Sequence, residues 1–182
     1  GRCLEIDHAT RRSLELTRTL RDGGREGSLL AVLDRTVTAM GSRMMSDWLA
    51  APLTDVESIN ARLDAVAELL HATELAGDLR GELREVYDMQ RLLTRVTTGR
   101  ASPRDLQYVG RTLKRLPRVK ARLTARRSHL LAQLEADMDL CPDLCDTLTA
   151  ALVDDCPLSS RDGGLIRHGY HPELDELRQL AT

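Results

Sequence analysis

Apolar residues recur every three or four positions along most of the chain, a spacing typical of amphipathic α-helices rather than strands. The clearest such run predicts one buried helix face, made of Ile59, Leu63, Val66 and Leu70. Thr54 precedes Glu57 by three residues, so this helix is predicted to start at a capping box. The pattern therefore predicts packed helices as the main structural elements.

Residues that commonly cap helices precede several other apolar runs. Asp7, Ser28, Thr38 and Ser102 are predicted N-caps, and Asp7 would open a helix with Leu14, Leu16 and Leu20 on its apolar face. Further predicted helices occupy residues 29–33, 40–49, 75–86, 89–96, 103–116, 119–134, 142–153 and 174–180. Pro117 is predicted to end one helix and begin the next. Asp162 and the two glycines after it predict a tight turn with at most a minor hairpin.

Composition supports a helical core for this chain of 182 residues. It contains 33 leucines but only one tryptophan, three tyrosines and no phenylalanine. Leucine and alanine favour helices, whereas the aromatic and β-branched residues favoured in strands are scarce. We therefore expect an all-α fold with several helices and no extended sheet.

Some classes of protein are excluded by what the sequence lacks. No run approaches the roughly 18 consecutive apolar residues that a membrane span needs. The two lysines, Lys114 and Lys120, lie outside any Gly-rich Gly-Lys-Ser/Thr motif, so the chain has no P-loop. The four cysteines are too few for a small disulfide scaffold and indicate reduced thiols in a cytoplasmic protein.

Two side-chain groups invite a functional interpretation but are more simply explained by packing. Met40, Met44 and Trp48 lie on one predicted helix face, which we expect to be buried core. Cysteines and histidines near the carboxyl end have the ligand types of a zinc site, but their spacing is poor for one: Cys141, Cys145, Cys156, His168 and His171. We predict no catalytic, cofactor-binding or metal-binding residues.

Charge is distributed unevenly along the second half of the chain. Residues 106–134 contain eight basic side chains and no acidic one, whereas residues 135–182 contain eleven acids and three bases. If the basic stretch binds nucleic acid, the candidate phosphate contacts are Arg111, Lys114, Arg115, Arg118 and Arg122. No aromatic residue lies among these charges to stack on bases, and the acids of residues 135–155 are available as partners within the chain.

Three stretches of sequence share motifs with one known family: residues 4–16 (LEIDHATRRSLEL); residues 28–34, 38–43, 48–53 and 62–66; and residues 162–164, 169–170 and 173–178, with a fainter match at 103–106. Together they resemble the central lever, or core, domain of the MutS family of DNA mismatch-repair proteins. They follow one another in the family's order over nearly the whole chain. Departures occur at Ser13, Ala39 and Gln90, where the family usually has Asn, Pro and Glu.

The resemblance implies that residues 1–182 are a lever-domain fragment lacking the mismatch-reading, clamp and ATPase domains. The implied role is structural and allosteric: the fragment would couple ATP-driven changes to the DNA clamp without an activity of its own. ATP and Mg²⁺ would bind only in the absent ATPase domain of the parent. The implied partners are the other parent domains and, through them, mismatched duplex DNA. The parent is expected to be a cytoplasmic homodimer.

Two other functions remain open at this point. The basic stretch would serve an autonomous helical nucleic-acid-binding module, and the helices alone would serve a protein-interaction module unrelated to repair. The first alternative requires tight, salt-dependent DNA binding by this chain, which the lever interpretation does not expect.

Overall fold

A computed structural model describes residues 3–181 and shows a helical protein. Helices account for 63% of it. The α-helices are α1 (His8–Ser13), α2 (Leu29–Leu33), α3 (Ala39–Ala50), α4 (Val56–His71), α5 (Thr73–Arg84), α6 (Met89–Thr97), α7 (Pro103–Leu123), α8 (His129–Asp137), α9 (Pro142–Ala151) and α10 (Pro172–Leu180). Within residues 3–181, strand pairing is limited to two single antiparallel bridges, Cys3 with Leu53 and Leu152 with Ile166. The predicted all-α fold is confirmed.

Two compact units divide these helices. The first combines the chain up to Arg84 with Val119–Met138, and the second combines Glu85–Arg118 with the chain from Asp139. Helix α7 contributes residues to both, because the division falls between Arg118 and Val119.

The first unit has a core of small and medium aliphatic side chains. Its buried members are Ala65, Leu79, Val119, Leu123 and Leu131. Helix α4 packs against α5 and α8 in this unit. Glu68 of α4 adds a polar link, since its carboxylate accepts hydrogen bonds from the backbone amides of Arg127 (3.0 Å) and Ser128 (2.6 Å) at the start of α8. These hydrogen bonds lower the pKa of Glu68, with the Ser128 amide contributing most.

The second unit is built around Leu92, Val109 and Leu113, with Cys141, Cys145 and Leu148 packed against them. Helices α7 and α9 approach closely at Gly110, where an added Cβ would lie 3.2 Å from Leu148 Cβ. Leu152 pairs with Ile166 across a loop that contains a 3-10 turn over Ser160–Asp162. The strand pairing near the predicted glycine turn is therefore minor, as expected.

Several helix starts are confirmed by their capping hydrogen bonds. The side chains of Asp7, Ser28 and Thr38 accept from the backbone amides of Thr10, Ala31 and Gly41. Ser102 and Asp105 form a reciprocal box at the start of α7: each backbone amide donates to the other's side chain. The N-cap of α4 predicted at Thr54 is wrong by one residue, because the side chain of Asp55 accepts a hydrogen bond from the Ser58 amide at the start of the helix.

The buried face of α4 differs from the prediction. Leu63, Val66 and Leu70 are 58%, 52% and 70% exposed, whereas Ala65 is buried. A small side chain permits the close approach of α8 and α5, so α4 turns Ala65 inward, with Leu69 partly buried beside it, and leaves Leu63, Val66 and Leu70 outside. Met44 and Trp48 are also exposed, at 54% and 42%, so their predicted burial was wrong. The Trp48 ring instead packs beneath the Arg62 guanidinium, 3.6 Å from the ring centroid.

Two predicted helix boundaries were also wrong. The first helix ends at Ser13, because Glu15 adopts a left-handed conformation (φ 48°) and turns the chain back toward α2; Leu14 and Leu20 are consequently exposed. Helix α7 continues through Pro117 to Leu123. An interior proline costs about 3 kcal/mol, and the burial of Val119 and Leu123 beyond it offsets that cost.

Candidate functional site

Four of the five predicted phosphate contacts share one face of α7. Arg111, Lys114, Arg115 and Arg118 follow the spacing of successive helix turns, and all four line an open groove of ≈ 430 Å³ with Glu85 and Tyr87. Arg111, Lys114 and Arg118 are exposed, and Arg115 is half-buried. We call these four side chains the α7 basic face.

The segment between α5 and α6 forms the opposite side of this groove. The Tyr87 amide donates to the Thr112 hydroxyl (3.2 Å), and the Tyr87 ring stacks on Tyr108 with centroids 4.1 Å apart. Glu85 pairs with Arg115 at 3.5 Å. The structure therefore brings an aromatic ring to the α7 basic face, although the sequence has none among those charges.

Arg122, the fifth predicted contact, is not part of this groove. It belongs to the first unit, where its guanidinium pairs with Asp78 at 2.8 Å. Lys120, also in that unit, lies 3.9 Å from the Glu135 carboxylate and donates to the Met138 carbonyl. The predicted set of five is thus divided into four residues together and one apart.

Acidic partners of the basic stretch agree only in part with the prediction. Lys120 does pair with Glu135, and Arg111 donates to the backbone carbonyl of Asp154 at 2.6 Å. The Asp154 carboxylate itself binds Arg167, which lowers the pKa of Asp154 more than Arg111 does. Arg115 and Arg122 use Glu85 and Asp78 instead, outside the expected acidic stretch: Glu85 lies in the segment after α5 and Asp78 lies on α5, each in the same unit as its partner.

A second basic pocket, missed by the sequence analysis, lies in the first unit. It has a volume of ≈ 660 Å³ and is formed by α1, the loop that follows α1, and the carboxyl-terminal end of α3. The basic side chains that line it are His8, Arg11, Arg12, Arg18 and Arg21, and we call it the amino-terminal basic pocket. The sequence did not indicate this pocket, because acidic residues balance the arginines over residues 4–27 and leave no excess of positive charge.

The cysteines and histidines considered for zinc take structural positions. Cys141 and Cys145 pack on the second core, and Cys156 is fully buried, which raises the pKa of its thiol. His171 accepts the Leu174 amide at the start of α10. Within residues 3–181 there is no group of three or more His, Cys, Asp or Glu side chains placed to hold a metal ion. The same residues include no helix with the length and apolar character to cross a membrane.

Comparison with known proteins identifies the family. The family model described as MutS domain III matches residues 9–181. The DNA mismatch repair protein MutS of Rhodopirellula baltica is 56% identical over 178 residues, which cover 98% of this chain and 20% of that protein. The DNA mismatch repair proteins MutS of Symbiobacterium thermophilum and Myxococcus xanthus are 46% and 45% identical over the whole chain, covering 21% and 20% of their own lengths.

This chain therefore spans about a fifth of the length of the curated relatives it matches. Both the match over residues 9–181 and the identities above 40% extend across the two compact units. The chain belongs to the MutS domain III family.

Proposed function

We propose that this chain is a structural and coupling segment of a cytoplasmic DNA mismatch repair protein, without an activity of its own. The names of its relatives support the process. In this proposal the rest of a longer, homodimeric parent binds mismatched DNA and hydrolyses ATP with Mg²⁺. The chain described here transmits changes between those parts.

Helix α7 is the observation that carries the coupling role. Its 21 residues rise about 30 Å at 1.5 Å per residue. Val109 and Leu113 belong to one core, whereas Val119 and Leu123 belong to the other. A displacement that repacks one core therefore moves a helix whose other end belongs to a second core, and packed cores favour discrete arrangements over continuous deformation.

The test compares two variants of the parent protein that remove the same charges from α7. Lys114 and Arg118 are exposed, so replacing both with alanine keeps the helix, whereas replacing both with glycine weakens it by about 1 kcal/mol at each position. We expect the glycine pair to reduce the effect of mismatched DNA on ATP turnover, with DNA affinity little changed. Equal behaviour of the two pairs would contradict the coupling role.

A second candidate function is supported by the groove of the α7 basic face. Four cations and Tyr87 are the components of a nucleic-acid contact, and neutralising four phosphates would give a slope of log affinity against log salt of about −3.6. We expect only weak, salt-sensitive association, because Arg115 is already paired and Arg122 lies elsewhere.

Titration of the chain with labelled duplex DNA at two salt concentrations separates the two functions. Micromolar or tighter affinity at physiological salt, abolished by replacing Arg111, Arg115 and Arg118 with alanine, would favour the nucleic-acid-binding module. The chain is also expected to show no ATP turnover, because its only lysines lie within α7 and belong to no phosphate-binding loop. Turnover that copurifies with the chain would refute that expectation.

A further inference from the structure

The amino-terminal basic pocket has walls held by backbone hydrogen bonds. After α1 the chain reverses at Glu15, and the amides of Leu29 and Leu30 donate to the carbonyls of Glu15 and Leu16. Within the loop, the Thr19 amide donates to the Gly24 carbonyl and the Gly23 amide to the Thr19 carbonyl. The loop is therefore a folded wall with a fixed path.

Acidic side chains of the same segment are already bound to backbone donors. Asp7 accepts from the Thr10 amide at 2.9 Å, Glu15 from the Leu20 amide at 2.5 Å, and Asp22 from the Gly24 amide at 2.9 Å. Among the described residues that line the pocket, Asp22 is the one carboxylate. These acids build turns and a helix cap, so they are poorly placed to neutralise the arginines.

The arginines consequently keep free guanidinium groups. Within residues 3–181, the side chains of Arg11, Arg12 and Arg21 make no hydrogen bond or ion pair, and Arg18 has one contact, to the Gly23 carbonyl at 3.4 Å. Four guanidinium groups and one carboxylate thus line a single concave space. Like charges gathered in this way repel one another, and a multiply charged anion relieves that repulsion.

The composition of the lining points to the chemistry of the anion. Guanidinium groups bind phosphate oxygens in a two-pronged geometry, and Thr17 and Ser46 supply neutral hydroxyl donors in the same lining. A volume of ≈ 660 Å³ lies within the range of about 300–1,000 Å³ typical of small-ligand pockets. We propose that the amino-terminal basic pocket binds a small anion that carries two or more phosphate groups.

A pocket-sized ligand fits better than an extended polymer. The cations converge on one cavity from a helix and a folded loop, whereas a nucleic-acid backbone is followed by cations spread along a groove. In the part of the chain that the structure describes, the pocket lining includes no aromatic side chain on which a base would stack. The site is separate from the α7 basic face, and its occupancy does not depend on the coupling role proposed above.

Calorimetric titration of the 182-residue chain with inorganic tripolyphosphate tests the proposal at physiological salt. We expect saturable binding of one tripolyphosphate per chain. A variant with Arg11, Arg12 and Arg21 all replaced by alanine should bind tripolyphosphate at least about tenfold more weakly, because each substitution removes a charge-assisted hydrogen bond to the ligand. All three side chains are exposed, so the variant should keep the circular dichroism spectrum of the unmodified chain. The single Arg21→Ala variant, in the loop, should show a smaller loss.

The matched control replaces Arg80, Arg84 and Arg100 with alanine, which removes the same charge from exposed positions outside the pocket. This control should bind tripolyphosphate as the unmodified chain does. Absence of binding, or equal weakening in both triple variants, would overturn the proposal. Equal affinity for citrate would refute the preference for phosphate. Duplex DNA that displaces tripolyphosphate from the pocket would identify a polymer backbone as the occupant and overturn the assignment to a small anion.

Discussion

Asp34 is expected to contribute more to the stability of the first unit than any surface carboxylate beside it. It lies just after α2, its side chain is 5% exposed, and it accepts hydrogen bonds from the Thr36 amide (2.9 Å), the Thr36 hydroxyl (2.6 Å) and the Ser42 hydroxyl (2.6 Å). Arg25 donates a further hydrogen bond from the loop before α2. One carboxylate thus ties a loop, the end of α2 and the first turns of α3 together.

Replacing Asp34 with alanine removes the acceptor for all four donors. Hydrogen bonds to a charged group contribute about 1.5–3 kcal/mol each, but the Arg25 side chain is half exposed and the hydroxyls are only partly buried, so water recovers much of the loss. We expect Asp34→Ala to lower the free energy of unfolding by about 2–4 kcal/mol. Asp34→Asn, which keeps one carbonyl acceptor, should cost less.

Urea unfolding followed by far-ultraviolet circular dichroism measures this loss, with Asp47→Ala on the exposed side of α3 as the control. The control should change stability by no more than about 0.5 kcal/mol. A similarly small effect of Asp34→Ala would refute the reasoning.

The pH dependence of stability gives a second check on Asp34. The Ser42 hydroxyl, followed by the Thr36 donors, holds the pKa of Asp34 well below its ordinary value of 3.8. A carboxylate with a lowered pKa stabilises the fold fully above its unfolded pKa and loses that contribution as the pH falls toward its folded pKa. The stability difference between the unmodified chain and Asp34→Ala should therefore be constant above about pH 5 and shrink below about pH 4.

Three further predictions concern single contacts. Glu68→Ala should lower the urea midpoint, because two amides at the start of α8 lose their acceptor, and the loss should diminish in acid as the lowered pKa of Glu68 is approached. Gly110→Leu should destabilise the second unit by about 1–3 kcal/mol through overlap with α9, whereas Gly81→Leu, in open space on α5, should be neutral or stabilising in the same unfolding assay. Trp48→Ala should cost only about 1–2 kcal/mol, from lost contact with Arg62 and partial burial, and in the unmodified chain the emission of Trp48 should lie close to that of water-exposed indole.

Helix starts were predictable from the sequence because capping is local. Ser28 and Thr38 bond to amides three residues away, so the side chain and its partner fall within one turn. The same locality explains the error at Thr54, where Asp55 offers a carboxylate one position later and takes the cap. The composition also predicted aliphatic cores correctly, since the buried residues are Leu, Val and Ala in the first unit and Leu and Val in the second.

Burial depended on tertiary packing that periodicity does not describe. Helix α4 has one face with Leu63, Val66 and Leu70 and another with Ala65 and Leu69, and close packing against α8 buries the face that carries the alanine. The amino-terminal basic pocket was hidden for a related reason. Counting charges treats Asp7 and Asp22 as partners of nearby arginines, whereas the folded chain uses both carboxylates to hold backbone amides.

Pro117 divides the amide protection of α7 into two segments. Proline has no N–H, so the Leu113 carbonyl lacks the hydrogen-bond donor that residue 117 would otherwise supply. Pro117 comes one residue before Arg118, the last α7 residue of the second unit. Amide hydrogen exchange in the α7 residues of each unit is expected to follow the opening of that unit's own core. The exchange rate along α7 should therefore change abruptly near Pro117. Solvent conditions that loosen one core should change the rates on that core's own side of Pro117 more than on the other side.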